Sequence, residues 1–228
     1  MKNSHESSQL LANAYAEFSI YKGLKFRADY GHTNYKYESS YFRPILTQQD
    51  QSILGESPIS TLTLWNGIYK TSTANFQVDY KLDTGKHNIN ALLGYGTERT
   101  RNVLTTLTYE GFPNDEVLNN VASAKWSSGQ NQILQKHGLN SWFTRLNYGY
   151  FNKYFAEFSF RADASSKFGP NNQWGYFPAF SAAWVASQEN FFKHFRWLDN
   201  LKFRASIGQT GSTNIDDFSY RQYYSSQG

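Results

Sequence analysis

The chain has 228 residues, 18% of them aromatic, with a net charge of +4 and no cysteine. The aromatic fraction excludes a disordered chain, and the missing cysteine excludes a disulfide scaffold, a thiolate metal site and a cysteine nucleophile. The basic residues are spread singly along the sequence, which argues against binding to nucleic acid.

Alternation of apolar and polar residues with a period of two predicts two antiparallel hairpins in the first half of the chain. Residues 12–20 are apolar at even positions, and the alternation resumes over 24–30 after a short turn. The second hairpin is predicted from 76–82 to 89–95. Each hairpin therefore has one apolar and one polar face.

The second half of the chain repeats this pattern. A third hairpin is predicted from 141–150 to 154–162, and a fourth pairs 174–186 with 201–207. The total is about eight strands. The predicted fold class is therefore all-β, an antiparallel up-and-down meander.

Connections between these strands alternate in length. The predicted short and moderate connections cover 21–23, 83–86, 151–153 and 187–199. The predicted long ones cover about 36–73, 98–139 and 165–173, with another opening after Gly208. Two short helices are predicted within these connections, over 114–124 and 188–195. Strict alternation puts all the short turns at one end of the sheet, which is typical of a transmembrane β-barrel.

Aromatic residues provide a second indication of a membrane barrel, because Tyr and Trp gather where strands cross the two interfaces. Ten of them fall near predicted strand ends: Tyr21, Tyr30, Tyr80, Tyr95, Trp142, Tyr148, Tyr150, Tyr154, Trp174 and Trp184. The alternative explanation is that aromatic residues simply favour strands.

Residues 161–178, RADASSKFGPNNQWGYFP, resemble the middle of the barrel of SusC/RagA-type TonB-linked outer-membrane transporters. In that family a strand that ends in Arg-x-Asp-x-Ser-Ser-x-Phe-Gly leads through a short loop into Trp-Gly-Tyr-Phe-Pro. Other segments are similar to the family's in the same order: KHNINALLGY at 86–95, GFPND at 111–115, RLNY at 145–148, KY at 153–154 and LKFRASIGQTG at 201–211. Ala164 departs from the family, which usually has Gly there.

The resemblance implies that residues 1–228 are a central segment of a larger transmembrane β-barrel in the bacterial outer membrane. No plug, TonB-contacting segment or signal peptide is expected in them, since the first residues lack an apolar core. The implied activity is energised import of glycans or peptides. The implied partners are a SusD-like surface lipoprotein, the TonB system through parts missing here, an oligosaccharide or peptide substrate, and membrane lipid.

Charged residues at the predicted lumen-facing positions are candidates for contact with a plug or a substrate: Arg27, Asp29, Arg145, Glu157, Arg161, Asp163 and Arg204. Arg161 and Asp163 lie two positions apart on one strand and so share a face. A structural ion pair is favoured for them over substrate contact. Three aromatic residues in the predicted long loops are candidates for stacking on a sugar: Trp65, Tyr69 and Trp126.

No catalytic, cofactor or metal site is predicted, and the chain is not expected to be an enzyme. Acid neighbours occur at 115–116 and 216–217, where a solvated loop or cation binding is favoured over glycosidase chemistry. The five histidines have no metal-ligand spacing. Gly94-x-Gly96 lacks the third glycine and the helix of a dinucleotide fingerprint.

Two alternative functions remain open from the sequence. Eight strands can close into a barrel by themselves, so the chain could be a self-contained outer-membrane barrel with a structural or adhesive role. A soluble sugar-binding β-domain is the other alternative, and its apolar face would point inward.

Overall fold

The computed structural model describes residues 3–45, 59–113, 120–192, 199–217 and 220. The strands are β1 (Asn3–Tyr21), β2 (Leu24–Arg43), β3 (Thr61–Asp83), β4 (His87–Glu110), β5 (Trp126–Tyr150), β6 (Tyr154–Ser165), β7 (Trp174–Val185) and β8 (Lys202–Gly208). They form one eight-stranded sheet in sequence order. The predicted all-β antiparallel meander of eight strands is confirmed.

The chain divides into two compact units. Unit 1 contains residues 1–12, 32–71 and 100–136. Unit 2 contains residues 13–31, 72–99 and 137–228. The two units are described separately below.

The short turns of unit 2 are joined to neighbouring strands by backbone hydrogen bonds. The carbonyl oxygens of Gly23, Lys86 and Lys153 accept hydrogen bonds of 2.7, 2.8 and 2.8 Å. Their donors are the N–H groups of Lys81, Phe151 and Val185, respectively. The predicted short turns therefore lie side by side.

Left-handed backbone conformations make these turns tight. Gly23 and Gly85 have φ of 80° and 79°, which glycine adopts without steric cost. Phe151 and Asn152 adopt φ of 50° and 57° in the turn between β5 and β6. Asn is one of the few residues that tolerates this region well.

Unit 1 contains a small hydrophobic cluster. Phe42, Leu62 and Phe112 are buried, and the rings of Phe42 and Phe112 meet edge to face at 5.2 Å. Ser60 is fully buried, and its hydroxyl and carbonyl oxygens accept hydrogen bonds from the N–H groups of Phe112 and Gly111. The cluster thus fastens the connection after β4 to the start of β3.

The strands are longer than predicted, so two of the expected long loops are largely strand. β2 continues to Arg43 and β3 begins at Thr61, inside the predicted loop of 36–73. β4 continues to Glu110 and β5 begins at Trp126, inside the predicted loop of 98–139. These stretches lack one continuously apolar face, so alternation did not reveal them, although Thr, Tyr, Val and Trp favour strands.

The predicted helices fall partly on residues 114–119 and 193–198, which lie outside the described residues. Their described portions, together with flanking residues, contain only the 3-10 turns Val121–Ser123 and Ala186–Gln188. In the part of the chain that the structure describes, no helix has the length and apolar character needed to cross a bilayer.

Candidate functional site

The register of β5 to β8 in unit 2 places an apolar row across four strands. Leu146 pairs with Phe158, Phe158 with Phe180, and Phe180 with Ile207. Directly paired residues point to the same side of a sheet. These four side chains are 44–77% exposed. A row of large apolar side chains this open to solvent requires a covering medium.

Aromatic residues border this row on both sides. Tyr150, Tyr154, Trp184 and Phe203 form one paired row near the short turns, with ring contacts at 6.4 and 5.8 Å. Trp142, Tyr176 and Trp174 lie on the same face beyond the apolar row. This is the arrangement predicted for a membrane barrel.

The spacing of the aromatic residues matches a bilayer. Trp174 pairs with Ala164, which lies ten residues from Tyr154 on β6. At about 3.3 Å per residue and a strand tilt of about 40°, ten residues cover about 25 Å of membrane depth. That is about the height of the apolar band of outer-membrane barrels.

The opposite face of unit 2 carries the polar and charged residues, interspersed with Phe143, Phe155 and Phe177. Asn147, Glu157, Ser181 and Ser206 form a paired row across β5 to β8. A cavity of about 380 Å³ on this face is lined by Asn147, Glu157 and Ser181 together with Asn88, Asn90 and Asn152. Amide and carboxylate groups in such number can hydrate a cavity or bind a polar partner.

The apolar residues of β3 lie away from this polar face. Asn75 lines a cavity of about 220 Å³ together with Ser141 and Arg161. Since side chains alternate along a strand, Phe76, Val78 and Tyr80 point to the other side. Their exposed fractions of 37–45% fit the apolar face described above.

Arg161 and Asp163 form an ion pair within β6. The Arg161 Nε atom lies 2.7 Å from one Asp163 carboxylate oxygen and 2.8 Å from the other. The Arg161 Nη2 atom donates to the Ser141 hydroxyl at 3.0 Å. The guanidinium is thus held on the polar face by groups of two neighbouring strands, β5 and β6.

The same arrangement recurs on β2. The Arg27 Nη2 atom lies 2.6 Å from an Asp29 carboxylate oxygen, and the guanidinium carbon lies 4.8 Å from the centre of the Tyr15 ring. Next to it, Lys25 pairs with Glu17 at 2.7 Å. Both Arg-x-Asp sequences therefore neutralise their own charge.

The remaining candidates are more open. Arg145 and Glu157 approach to 4.0 Å, with side chains 59% and 44% exposed. Arg204 pairs with Ala183, which lines the same cavity as Glu157. All seven charged candidates occupy the polar side of their strands. Two contacts of these candidates among the described residues connect β5 with β6: the hydrogen bond of Arg161 to Ser141 and the longer Arg145–Glu157 ion pair.

Two further acid sites were not recognised as such from the sequence. The Asp217 carboxylate is only 7% exposed and pairs with His137 Nδ1 at 3.1 Å and with Lys167 Nζ at 3.9 Å. The solvated-loop prediction is therefore wrong for Asp217, because the segment after β8 folds back against β5. Residues 115–116 lie outside the described residues.

Glu189, in the connection after β7, is the second of these sites. The hydroxyl of Tyr154 donates to its carboxylate, and this hydrogen bond lowers the pKa of Glu189. Further donors are Lys153 Nζ at 3.2 Å and Trp184 Nε1 at 3.4 Å. No sequence pattern links these residues. The turn between β5 and β6 brings Lys153 and Tyr154 close to Glu189, which lies more than thirty residues later in the chain.

The three aromatic candidates lie in strands of unit 1 rather than in loops. Trp65 and Tyr69 belong to β3, and Trp126 is the first residue of β5. Trp126 is occupied by its neighbours, since its Nε1 donates to Glu110 at 3.1 Å and Lys125 Nζ lies 5.3 Å from the centre of its ring. Among the described residues, no three His, Asp or Glu side chains form a group that could hold a metal ion.

Comparison with known proteins shows which family this chain is similar to. TonB-dependent receptor P39 of Formosa agariphila is 31% identical over 206 residues, which is 90% of this chain and 19% of that receptor. TonB-dependent receptor SusC of Bacteroides thetaiotaomicron is 42% identical over 96 residues, which is 42% of this chain and 10% of SusC. The chain belongs to the SusC/RagA-type TonB-dependent receptors. Receptors of this type are outer-membrane β-barrel proteins.

Two other comparisons give the same fold or the same kind of receptor, and in both this chain matches only part of a longer protein. TonB-dependent receptor P3 of Formosa agariphila is 29% identical over 216 residues, 94% of this chain and 21% of that receptor. The RagAB peptide transporter superposes with a TM-score of 0.85 at 23% identity, over 100% of this chain and 26% of the transporter chain. No protein-family model matches the sequence. The chain thus spans about a fifth of the length of receptors P3 and P39.

Proposed function

We propose that this chain forms part of the barrel wall of an outer-membrane importer that takes up oligosaccharides or peptides, using energy delivered through TonB. The observation that carries the proposal is the contrast between the two faces of unit 2. One face has an exposed apolar row between aromatic rows about 25 Å apart, and the other has ion pairs and amides. Lipid suits the first face, and a water-filled lumen suits the second.

The charged residues of the polar face have a role in this proposal. Two ion pairs, Arg27–Asp29 and Arg161–Asp163, already neutralise their own charges, so these four residues have a structural role in the wall. Arg145, Glu157 and Arg204 are the more open groups and would contact the plug or the substrate. A SusD-like lipoprotein would cover the outer mouth, since the relatives include SusC and the RagAB peptide transporter.

The alternative of a self-contained eight-stranded barrel has little support. β1 and β8 stand at the two ends of the strand order rather than next to each other. A closed barrel would pair its first and last strands. In the described strands, the sheet is therefore open, as a part of a wider wall would be.

Uptake measurements test the proposed function. Cells that carry the full-length receptor should accumulate fluorescent oligosaccharides or peptides, and accumulation should fall to background when the receptor or TonB is deleted. A matched control is a strain with a general porin deleted, which should not change this uptake. Accumulation that is independent of TonB would contradict energised import.

The orientation of the wall can be tested in the same strain by maleimide labelling, with the parent receptor as the background control, because residues 1–228 contribute no native cysteine. A Ser181→Cys variant should react with a charged maleimide, since Ser181 lines the polar cavity. A Phe158→Cys variant should remain unlabelled in lipid. Equal labelling of both would contradict the assignment of the two faces.

A further inference from the structure

A group of aromatic side chains in unit 1 surrounds a glycine on β3. The Tyr37 ring lies directly over Gly67, and a Cβ atom at Gly67 would collide with three ring atoms of Tyr37. The ring centres of Tyr35 and His5 lie 5.9 and 6.2 Å from that of Tyr37. Glycine at 67 therefore leaves the space in which the Tyr37 ring packs against the β3 backbone.

Two more aromatic residues share this side of β3. Trp65 and Tyr69 stand two positions before and after Gly67, so strand alternation places them on its side. Tyr69 is 41% exposed, and Tyr35 and Tyr37 are half-buried. Within the described residues, the hydroxyls of Tyr35, Tyr37 and Tyr69 form no hydrogen bond, so their polar atoms are available to a ligand.

Charged side chains avoid this side of β2 and β3 near Gly67. From Thr33 to Tyr41 of β2, and from Thr61 to Thr71 of β3, the odd positions contain no Asp, Glu, Lys or Arg. The charged residues of these stretches are Lys36, Glu38 and Lys70, all at even positions. Over these stretches, charge is thus confined to the opposite side of the two strands, and Arg43, at the end of β2 and six residues from Tyr37, is the first charged residue beyond them on the Tyr37 side.

Neutral hydrogen-bonding pairs continue the same side on the neighbouring strands. The hydroxyls of Thr71 and Thr100 lie 3.1 Å apart, and Asn102 donates to Gln135 at 3.1 Å. Rings, hydroxyls and amides without charge are complementary to the C–H faces and hydroxyls of a sugar. Anionic ligands and peptide termini would instead require paired charges.

We propose that the platform of Tyr37 on Gly67, flanked by His5, Tyr35, Trp65 and Tyr69, binds a neutral oligosaccharide. The Tyr37 ring stacks on one sugar unit, and the surrounding hydroxyls and amides bind its hydroxyl groups. The inference rests on the proposed function in that the bound sugar is the imported cargo. It narrows the substrate class from oligosaccharide or peptide to uncharged saccharide.

Calorimetry on the detergent-solubilised full-length receptor tests this platform. The probes are neutral hexasaccharides of glucose, mannose, galactose and xylose, a hexasaccharide of galacturonic acid, and a mixture of uncapped decapeptides. We expect at least one neutral hexasaccharide to bind, and Tyr37→Ala to weaken that binding about tenfold through loss of ring stacking. Lys36→Ala, on the other side of the same strand, should leave the affinity unchanged.

Two further variants separate the platform from general damage to the fold. Gly67→Ala should lower the affinity as Tyr37→Ala does, because the new Cβ displaces the ring. Tyr37→Phe keeps the ring and should retain most of the affinity. Binding of only the galacturonate or peptide probes, or equal affinity in Tyr37→Ala and the parent, would overturn the inference. TonB-dependent uptake of peptides alone would overturn the sugar-binding inference and leave the proposed import function standing. Binding of a neutral sugar at the platform without energised uptake would support the inference and contradict the import function.

Discussion

Glu189 shows how a single carboxylate stabilises the end of a hairpin. Tyr154, Trp184 and Lys153 all donate to it, so strands β6 and β7 and the turn before β6 are fastened at one point. The Tyr154 hydrogen bond is the main reason why the pKa of Glu189 lies below its usual value. A lowered pKa means that folding favours the ionised form.

This carboxylate makes the folding stability of the receptor depend on pH. Glu189→Gln should destabilise the folded receptor at pH 7, and the difference from the parent should shrink as the pH falls through the lowered pKa of Glu189. The sign follows because a depressed pKa adds stability only while the carboxylate is ionised. Urea unfolding in detergent at a series of pH values measures this difference, with Glu38→Gln as a control on an exposed glutamate. A difference that grows toward acid pH would contradict this assignment.

At the scale of the strand, alternation predicted the two faces of β6, β7 and β8. Phe158, Phe180 and Ile207 share one face as their spacing required, and Arg161 and Asp163 share the other. Alternation predicts these faces because one face is apolar and the other carries the charged residues, so neighbouring residues along each strand differ in polarity.

The same reasoning failed where both faces meet polar surroundings. Residues 61–71 and 100–110 are strand, but neither side is uniformly apolar, so the sequence pattern did not distinguish them from loops. The sequence pattern also did not predict contacts between residues that are distant in the chain. The Tyr37 ring over Gly67 and the Asp217 pair with His137 depend on strand register and on a returning segment, which composition and spacing do not encode.

A pair of arginine substitutions tests the two faces of the strands. Phe158→Arg should cost about 2–4 kcal/mol of folding stability in lipid if that row lies near the bilayer midplane. Ser181→Arg is the matched control, because Ser181 pairs with Glu157 on the polar face and the new charge gains a partner. Unfolding of both variants in liposomes measures the difference. Equal costs, or a neutral Phe158→Arg, would count against a lipid-facing row.

At the scale of the whole sheet, the two edge strands determine how the chain behaves alone. β1 and β8 each leave one row of backbone donors and acceptors without a neighbouring strand in the described sheet. Lipid cannot satisfy such groups, and exposed edges promote aggregation. The sheet therefore needs flanking strands to be stable in a membrane.

Refolding the 228-residue chain by itself tests this dependence on neighbours. In detergent or liposomes we expect aggregation rather than a compact monomer, and no transport. Electrophoresis with and without heating, combined with limited proteolysis, distinguishes the two outcomes, and the full-length receptor is the positive control. A protease-resistant, heat-modifiable monomer would instead support the self-contained barrel.

The ion pairs Arg27–Asp29 and Arg161–Asp163 each lie within a single strand. Each of these pairs thereby keeps its two charges together, whichever residues stand on the adjoining strand. A substitution on that adjoining strand removes neither partner of the pair, so the polar face can change around these two pairs without leaving a charge unpaired.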